Sequence, residues 1–166
     1  MQVLVEASPF VFAVADLEPG VGRDVHIATR ADWELEGSTL ASDVVADLAM
    51  NGHAGGVMVA GVVEASFDQA CNRCLNLFED TLRVTFAQDF VTDEGNEYMV
   101  ISDTIDTEPM LRDELLLAVP LVPICQPDCK GLCPECGTDL NTNACSGHEA
   151  ESVSPFAELR SLFDQE

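Results

Sequence analysis

The residues able to do chemistry in this chain are mainly its seven cysteines, Cys71, Cys74, Cys125, Cys129, Cys133, Cys136 and Cys145, and the one histidine near any of them, His148. Cys71/Cys74 and Cys133/Cys136 have the x2 spacing that puts both sulfurs on one side of a tight turn, with backbone amides facing them. Two such corners can complete a closed, tetrahedral zinc site. Gly137 follows Cys136 and lets the chain turn back. Seven thiols and one imidazole make eight candidate ligands, enough for two four-coordinate ions. The natural division sets Cys133, Cys136, Cys145 and His148 together as a local site. Cys71, Cys74, Cys125 and Cys129 then form a second one across the sequence. A one-ion alternative uses Cys129, Cys133, Cys136 and Cys145 and leaves Cys71 and Cys74 as free thiols.

Structural zinc competes with two other uses of cysteine. Disulfides fit poorly with an odd count and with the expected compartment. The segment Met1-Gln-Val-Leu-Val-Glu has no basic start, no apolar run of signal length and no small-residue cleavage site, so the expectation is cytoplasmic, where thiols stay reduced. The longest apolar stretch, residues 115–125, is broken by Pro120 and Pro123 and is too short to span a bilayer. A redox role for Cys71/Cys74 would want the pair opening a helix after a parallel strand, whereas here it links two antiparallel strands. Arg73, between them, could still lower a thiol pKa.

The elements that must position these cysteines are mostly strands. Phe78, Leu82, Val84, Phe86 and Phe90 share one parity, and Glu79, Thr81, Arg83, Thr85 and Asp89 the other, which predicts a strand with one wet face. Cys71/Cys74 then sit at the tip of the hairpin that joins it to a strand over residues 57–67. Val44, Ala46, Leu48 and Met50 alternate as a further strand, with Asn51-Gly52 as the turn out of it. Residues 10–15 suit a strand closed by the Glu18-Pro19-Gly20 turn, 91–97 an acidic loop and 98–102 a short strand. One helix is expected near 108–119, capped by Asp106 or Thr107, with Leu111, Leu115 and Ala118 on one face and Pro120 at its end. Residues 125–148 lack the hydrophobic content for a core and need a metal to fold. An amphipathic helix with Phe156, Leu159, Leu162 and Phe163 on one side is expected at 155–164. The fold class is therefore α+β, a mainly antiparallel β-sheet with one packed helix, a zinc-knuckle segment and a C-terminal helix. The expected division is a β-rich body at 1–124, a zinc-binding segment at 125–148 and a tail at 149–166.

Charge narrows the function. Of 166 residues, 30 are Asp or Glu and 7 are Lys or Arg, a formal charge of −23. A phosphate-binding face needs basic side chains that displace counterions, so direct RNA binding is local at most. Zinc held by thiolates leaves the total more negative still. A basic protein partner suits such a field. The sequence contains no P-loop, no Gly-x-Gly-x-x-Gly, no Gly-x-Ser-x-Gly and no His-Glu-x-x-His, and no enzymatic activity is expected. The acidic stretch 89–97 lacks the ligand spacing of a calcium loop and reads as solvated. His26 and His53 read as surface residues and Trp33 as a core or edge anchor.

One arrangement of motifs carries a resemblance. Cys71-Asn-Arg-Cys74-Leu75 follows a β-rich half; then come Cys125-x3-Cys129-Lys-Gly-Leu-Cys133-Pro-x-Cys136-Gly-x-x-Leu140-Asn141 and, near the end, Pro155-Phe-Ala-x-Leu159. Over residues 57–163 this resembles the YceD family, the large ribosomal RNA subunit accumulation proteins. Where that family commonly continues with Cys-x-Cys, this chain has Cys145-Ser-Gly-His148. The resemblance implies a bacterial cytoplasmic factor, without known enzymatic activity, needed for accumulation of 23S rRNA during large-subunit synthesis. Its acidic body would bind a basic ribosomal protein or rRNA-processing factor. A redox-regulated zinc chaperone is the alternative, and a zinc hydrolase a further rival that needs an open coordination position.

Overall fold

The computed structural model describes residues 8–35, 38–93, 95–145 and 147–148. The helix expected at 155–164 lies outside the described residues. Within them are eight strands and one helix: β1 (Val11–Ala13), β2 (Gly22–Thr29), β3 (Glu34–Leu35), β4 (Ser38–Leu40), β5 (Val44–His53), β6 (Gly56–Ala70), β7 (Leu77–Val91), β8 (Thr104–Asp106) and α1 (Glu108–Ala118). Mainly antiparallel sheet with one helix is the class expected from the sequence.

The long hairpin β6–β7 is the spine. Its two 15-residue strands pair without interruption from Gly56↔Val91 to Ala70↔Leu77. The other edge of β6 is shared: β5 pairs with it from Gly56 to Glu64, and β4 from Phe67 to Gln69. β2 extends the sheet beyond β5, and β3 beyond β4.

One face of this sheet is the core. Val44, Ala46, Leu48 and Met50 of β5 are buried at 0–2% exposure, which settles their alternation as a strand. Val57, Val59, Val63, Ala65 and Phe67 of β6, and Phe86 and Phe90 of β7, continue the layer. Each large side chain removed from water in this way contributes about 1.5–3 kcal/mol. Over them lie the small β1–β8 pair, with Phe10 and Ile105, and α1, with Met110, Leu111 and Leu115. Trp33 anchors this layer, its ring 5.8 Å from that of Phe10 and its indole N–H donating to Glu108 at 3.0 Å. The opposite face is wet. His26 meets Asp47, and His53 meets Asp89, each at 2.7 Å and each exposed.

Three local expectations are corrected, and of the two offered caps of α1 it is Asp106 whose side chain accepts a helix N–H. Asn51-Gly52 is not the turn: both pair within the β5–β6 ladder, and the reversal is at Ala54-Gly55. Gly52 is fixed instead by tertiary contact, because a Cβ there would collide with the Leu17 carbonyl oxygen. Residues 98–102 make only isolated bridges, and the strand falls at β8 after a turn in which Ser102 and Asp103 have φ of 50° and 57°. On α1 the apolar face runs through Met110 rather than Ala118, which is exposed. At its start Thr107 occupies the N-cap, but its hydroxyl donates to the Phe10 carbonyl at 2.9 Å, and Asp106 accepts the Glu108 N–H at 3.0 Å.

Candidate metal centres

The β6–β7 hairpin carries its tip, residues 71–76, to the end of the sheet. The tip is closed by the Cys71 N–H on the Asn76 carbonyl and the Leu75 N–H on the Cys71 carbonyl, both 2.9 Å, with Leu75 at φ 60°. Cys71 and Cys74 thereby point to one side. The chain leaving α1 is pinned there by the Asn72 N–H on the Pro123 carbonyl at 2.8 Å, which delivers Cys125 and Cys129.

The result is an inner cluster in which Cys71 faces Cys129 at 3.9 Å and Cys74 faces Cys125 at 3.7 Å, sulfur to sulfur. Cys71, Cys74 and Cys129 are buried, with Phe78, Ile124 and Leu132 packed against them. Four sulfurs around an ion at a zinc–sulfur distance of about 2.3 Å stand about 3.8 Å apart in a tetrahedron. The spacing of the cluster matches that figure.

Around the inner cluster runs a set of braces that sequence reasoning missed. The Arg73 guanidinium donates to the carbonyls of Cys129 at 3.0 Å and Pro127 at 3.5 Å, so it holds backbone and does not touch a thiol. The expectation that it lowers a cysteine pKa directly is replaced by a role for its amide, which donates to Cys71 Sγ at 3.4 Å. Asn141 accepts the Lys130 N–H at 2.8 Å and donates to Cys129 Sγ at 3.4 Å. Asp139 accepts from the Asn141 N–H at 2.9 Å and from the Asn76 amide at 2.9 Å, and so ties the knuckle to the hairpin tip. Gly131 crosses Arg73 closely: the Leu132 N–H donates to the Arg73 carbonyl at 3.0 Å, and a Cβ on Gly131 would come within 2.9 Å of that same oxygen. The Asn141 of the motif was visible in the sequence, but its partners were not.

The second, outer cluster is local. The Cys133 N–H donates to the Thr138 carbonyl at 2.8 Å, and the Gly137 N–H to the Cys133 carbonyl at 2.9 Å. Cys145 Sγ lies 3.6 Å from Cys133, 3.8 Å from Cys136 and 2.9 Å from His148 Nε2. The last distance is that of a thiol–imidazole hydrogen bond. Cys133 is buried, while Cys136 and His148 are exposed. In each group the ligand atoms lie within 4.8 Å of one another. The structure thus gathers all eight residues in two fours, and Cys129 lies with Cys71 rather than with Cys133.

Each cluster contains a thiol poised to ionise. The Cys125 backbone amide, and then those of Cys74 and Arg73, pull the Cys71 thiol down to about 6 against its burial. Cys136 is drawn to about 6 by the Thr138 hydroxyl and amide, then by His148. By contrast, burial and the neighbouring thiols push Cys125 up to about 12. The protein alone favours the thiolate of Cys71 in the inner cluster and of Cys133 and Cys136 in the outer one, and a bound cation would displace the protons of the thiols that keep theirs.

Fold and site together define an antiparallel-sheet protein with two sulfur-rich groups that could hold metal ions, a donor set consistent with zinc. The family described as Large ribosomal RNA subunit accumulation protein YceD matches residues 59–163, and the chain belongs to it. Uncharacterized proteins of Mycobacterium tuberculosis and Mycobacterium leprae are 32% and 31% identical to it over 164 residues. These alignments cover 90% of this chain, and 78% and 75% of the two relatives. A maize protein, Large ribosomal RNA subunit accumulation protein YCED homolog 1, chloroplastic, is 32% identical over 76 residues, 46% of this chain and 26% of its own length. No solved structure matches. Among the described residues no helix is long and apolar enough to cross a membrane.

Proposed function

We propose that this chain is a non-enzymatic cytoplasmic factor for 23S rRNA accumulation in large ribosomal subunit biogenesis. Its acidic surface binds a basic ribosomal protein or rRNA-processing factor, and two structural zinc ions order the segment beside that surface. Cys71, Cys74, Cys125 and Cys129 hold one ion; Cys133, Cys136, Cys145 and His148 hold the other. The body at 1–124 and the segment at 125–148 are joined by the first ion, and 149–166 is a tail. The observation that carries the zinc assignment is the inner four-sulfur cluster, whose 3.7 and 3.9 Å edges fit a closed tetrahedral sphere. Such a sphere leaves no position for a reacting water. The formal charge of −23 supports a basic protein rather than bare RNA as the partner.

Metal-to-protein stoichiometry on reduced, purified protein tests the first half, with about two zinc ions per chain expected and none fatal to it. Pull-down of the tagged chain at low and moderate salt tests the second half. A basic ribosomal protein or processing factor is expected; recovery of naked rRNA without protein sinks the reading. Exposure of Cys136 and His148 favours one further role, a chaperone switched on when oxidation ejects the outer zinc. Client binding that appears only after peroxide treatment would identify it.

A further inference from the structure

We propose that the open edge of β7 is where the partner docks, an extended basic segment of that protein pairing with residues 77–85 as an added strand. The inference rests on the basic-partner reading above and names the place and form of binding.

β7 is paired to β6 along its whole length, and on its other side only Val91 bonds to backbone among the described residues. Val91 donates its N–H to the Tyr98 carbonyl at 3.3 Å and accepts the Val100 N–H at 2.9 Å, so both its polar groups face away from β6. Antiparallel pairing alternates this direction residue by residue. Leu77, Glu79, Thr81, Arg83 and Thr85 therefore turn their N–H and C=O groups to the open side as well. The Phe90 carbonyl lies against Gly56 of β6, as the alternation requires.

A bare edge of this length is a template for another chain, and proteins normally blunt one with Pro, Lys, a bulge or a cover. β7 has no Pro, no Lys and no bulge. α1 reaches it at Gln88, whose amide donates to Glu114 at 2.8 Å, and there Phe86 and Phe90 are buried. Among the described residues the cover runs out towards the tip. Leu82 and Val84 are half-buried, although their cross-strand partners Ala65 and Val63 are 2% and 0% exposed. One more strand would complete that apolar layer.

Charge selects the occupant. Glu79 and Asp80 lie on the open stretch, and its one cation, Arg83, is engaged by Glu64 at 2.9 Å. A strand alternating Lys or Arg with aliphatic residues satisfies the backbone row, the apolar layer and Glu79 on the wet face, and its positive charge also suits Asp80 at the end of the apolar row. A second copy of this chain would meet the repulsion of two −23 charges.

The probe is a synthetic peptide of alternating Lys and Val, with a control peptide of the same sequence N-methylated at alternate backbone positions. Amide exchange on the full zinc-loaded chain is followed by NMR. The plain peptide is expected to protect the Glu79, Thr81, Arg83 and Thr85 amides, and the methylated one is not. Thr85→Pro removes an outward N–H, which an edge strand tolerates, and should weaken plain-peptide binding about tenfold. Unchanged protection of Leu82 and Val84 shows that the variant's sheet is intact. If Thr85→Pro fails to fold, E79K with D80K should weaken binding by charge alone. Equal binding of both peptides, or no new protection at 77–85, overturns the edge assignment and leaves the basic-partner reading standing. Protection of the odd-numbered amides already present in the free chain overturns it too, because its own tail or a second copy then occupies the edge. Loss of all peptide binding together with a pull-down empty of basic protein takes both readings down.

Discussion

The two cysteine clusters use nearly the same donor set but are built in opposite ways. The inner one draws ligands from two places some fifty residues apart and is buried, and Arg73, Asn76, Asp139 and Asn141 cross-tie it. The outer one comes from a single stretch, 133–148, with Cys136 and His148 in water. An ion at the inner site closes a long loop between the sheet and the knuckle, while an ion at the outer site only folds the knuckle on itself. Loop-closure entropy and burial thus place most of the metal-linked stability at the inner centre.

The sharpest way to break this contrast is Cys129→Ser. It removes a buried candidate ligand that Asn141 and Cys71 both touch, and on the two-zinc reading should release the inner metal, free residues 125–148 from the hairpin tip and lower the melting temperature by at least about 10 °C. Calorimetry with zinc analysis checks this; a variant that retains both metals and its melting point contradicts the inner assignment. Cys136→Ser, in the outer cluster, should cost one metal and expose residues 133–148 to protease while leaving the sheet formed. A chelator titration on the unaltered chain should follow the same order, the outer ion leaving first. Simultaneous loss would mean that the two centres fold as one unit.

What the sequence made legible follows this division. The Cys-x-x-Cys corners and the period-2 pattern of β7 are local signals, and each is realised where its spacing placed it. The braces of the inner cluster are not local: Asp139 meets Asn76 across 63 positions, and nothing in either residue's neighbours announces the partner. The same physics misled the reading of Asn51-Gly52. A dipeptide suited to a turn is held in a ladder because Leu17 packs on Gly52, and the reversal moved to the next small pair, Ala54-Gly55. Likewise Thr107 is a good cap by type, but its hydroxyl is taken by Phe10, 97 residues away.

A smaller effect sharpens how the knuckle is seated. Gly131 sits at φ 76° and faces the Arg73 carbonyl. An alanine there carries about 1–2 kcal/mol of left-handed strain and also pushes on that oxygen. Gly131→Ala should therefore lower the melting temperature by about 3–6 °C while both metals are retained, because no ligand is touched. Loss of the inner metal in this variant would show that the Gly131–Arg73 contact sets the ligand geometry as well as the seating.

The smallest effect reads out the Asp139 brace. The Asn141 backbone N–H, then the Asn76 side chain, hold the Asp139 carboxyl below its ordinary value. A carboxyl whose folded pKa is depressed adds stability that is fully present above its unfolded value of about 3.9 and disappears as pH falls through the folded value. Asp139→Asn lacks this term at every pH. Wild type should therefore melt slightly above the variant near neutrality, and the gap should close below about pH 4. Zinc release in the same acid range would mask the difference, so the comparison belongs on protein held at saturating zinc, with metal content followed alongside the melts. A gap that persists unchanged to the acid limit would mean that Asp139 acts through shape rather than charge. The tie between knuckle and hairpin tip would then rest on the shape of the Asp139–Asn76 contact and on the Arg73 hydrogen bonds to Cys129 and Leu132.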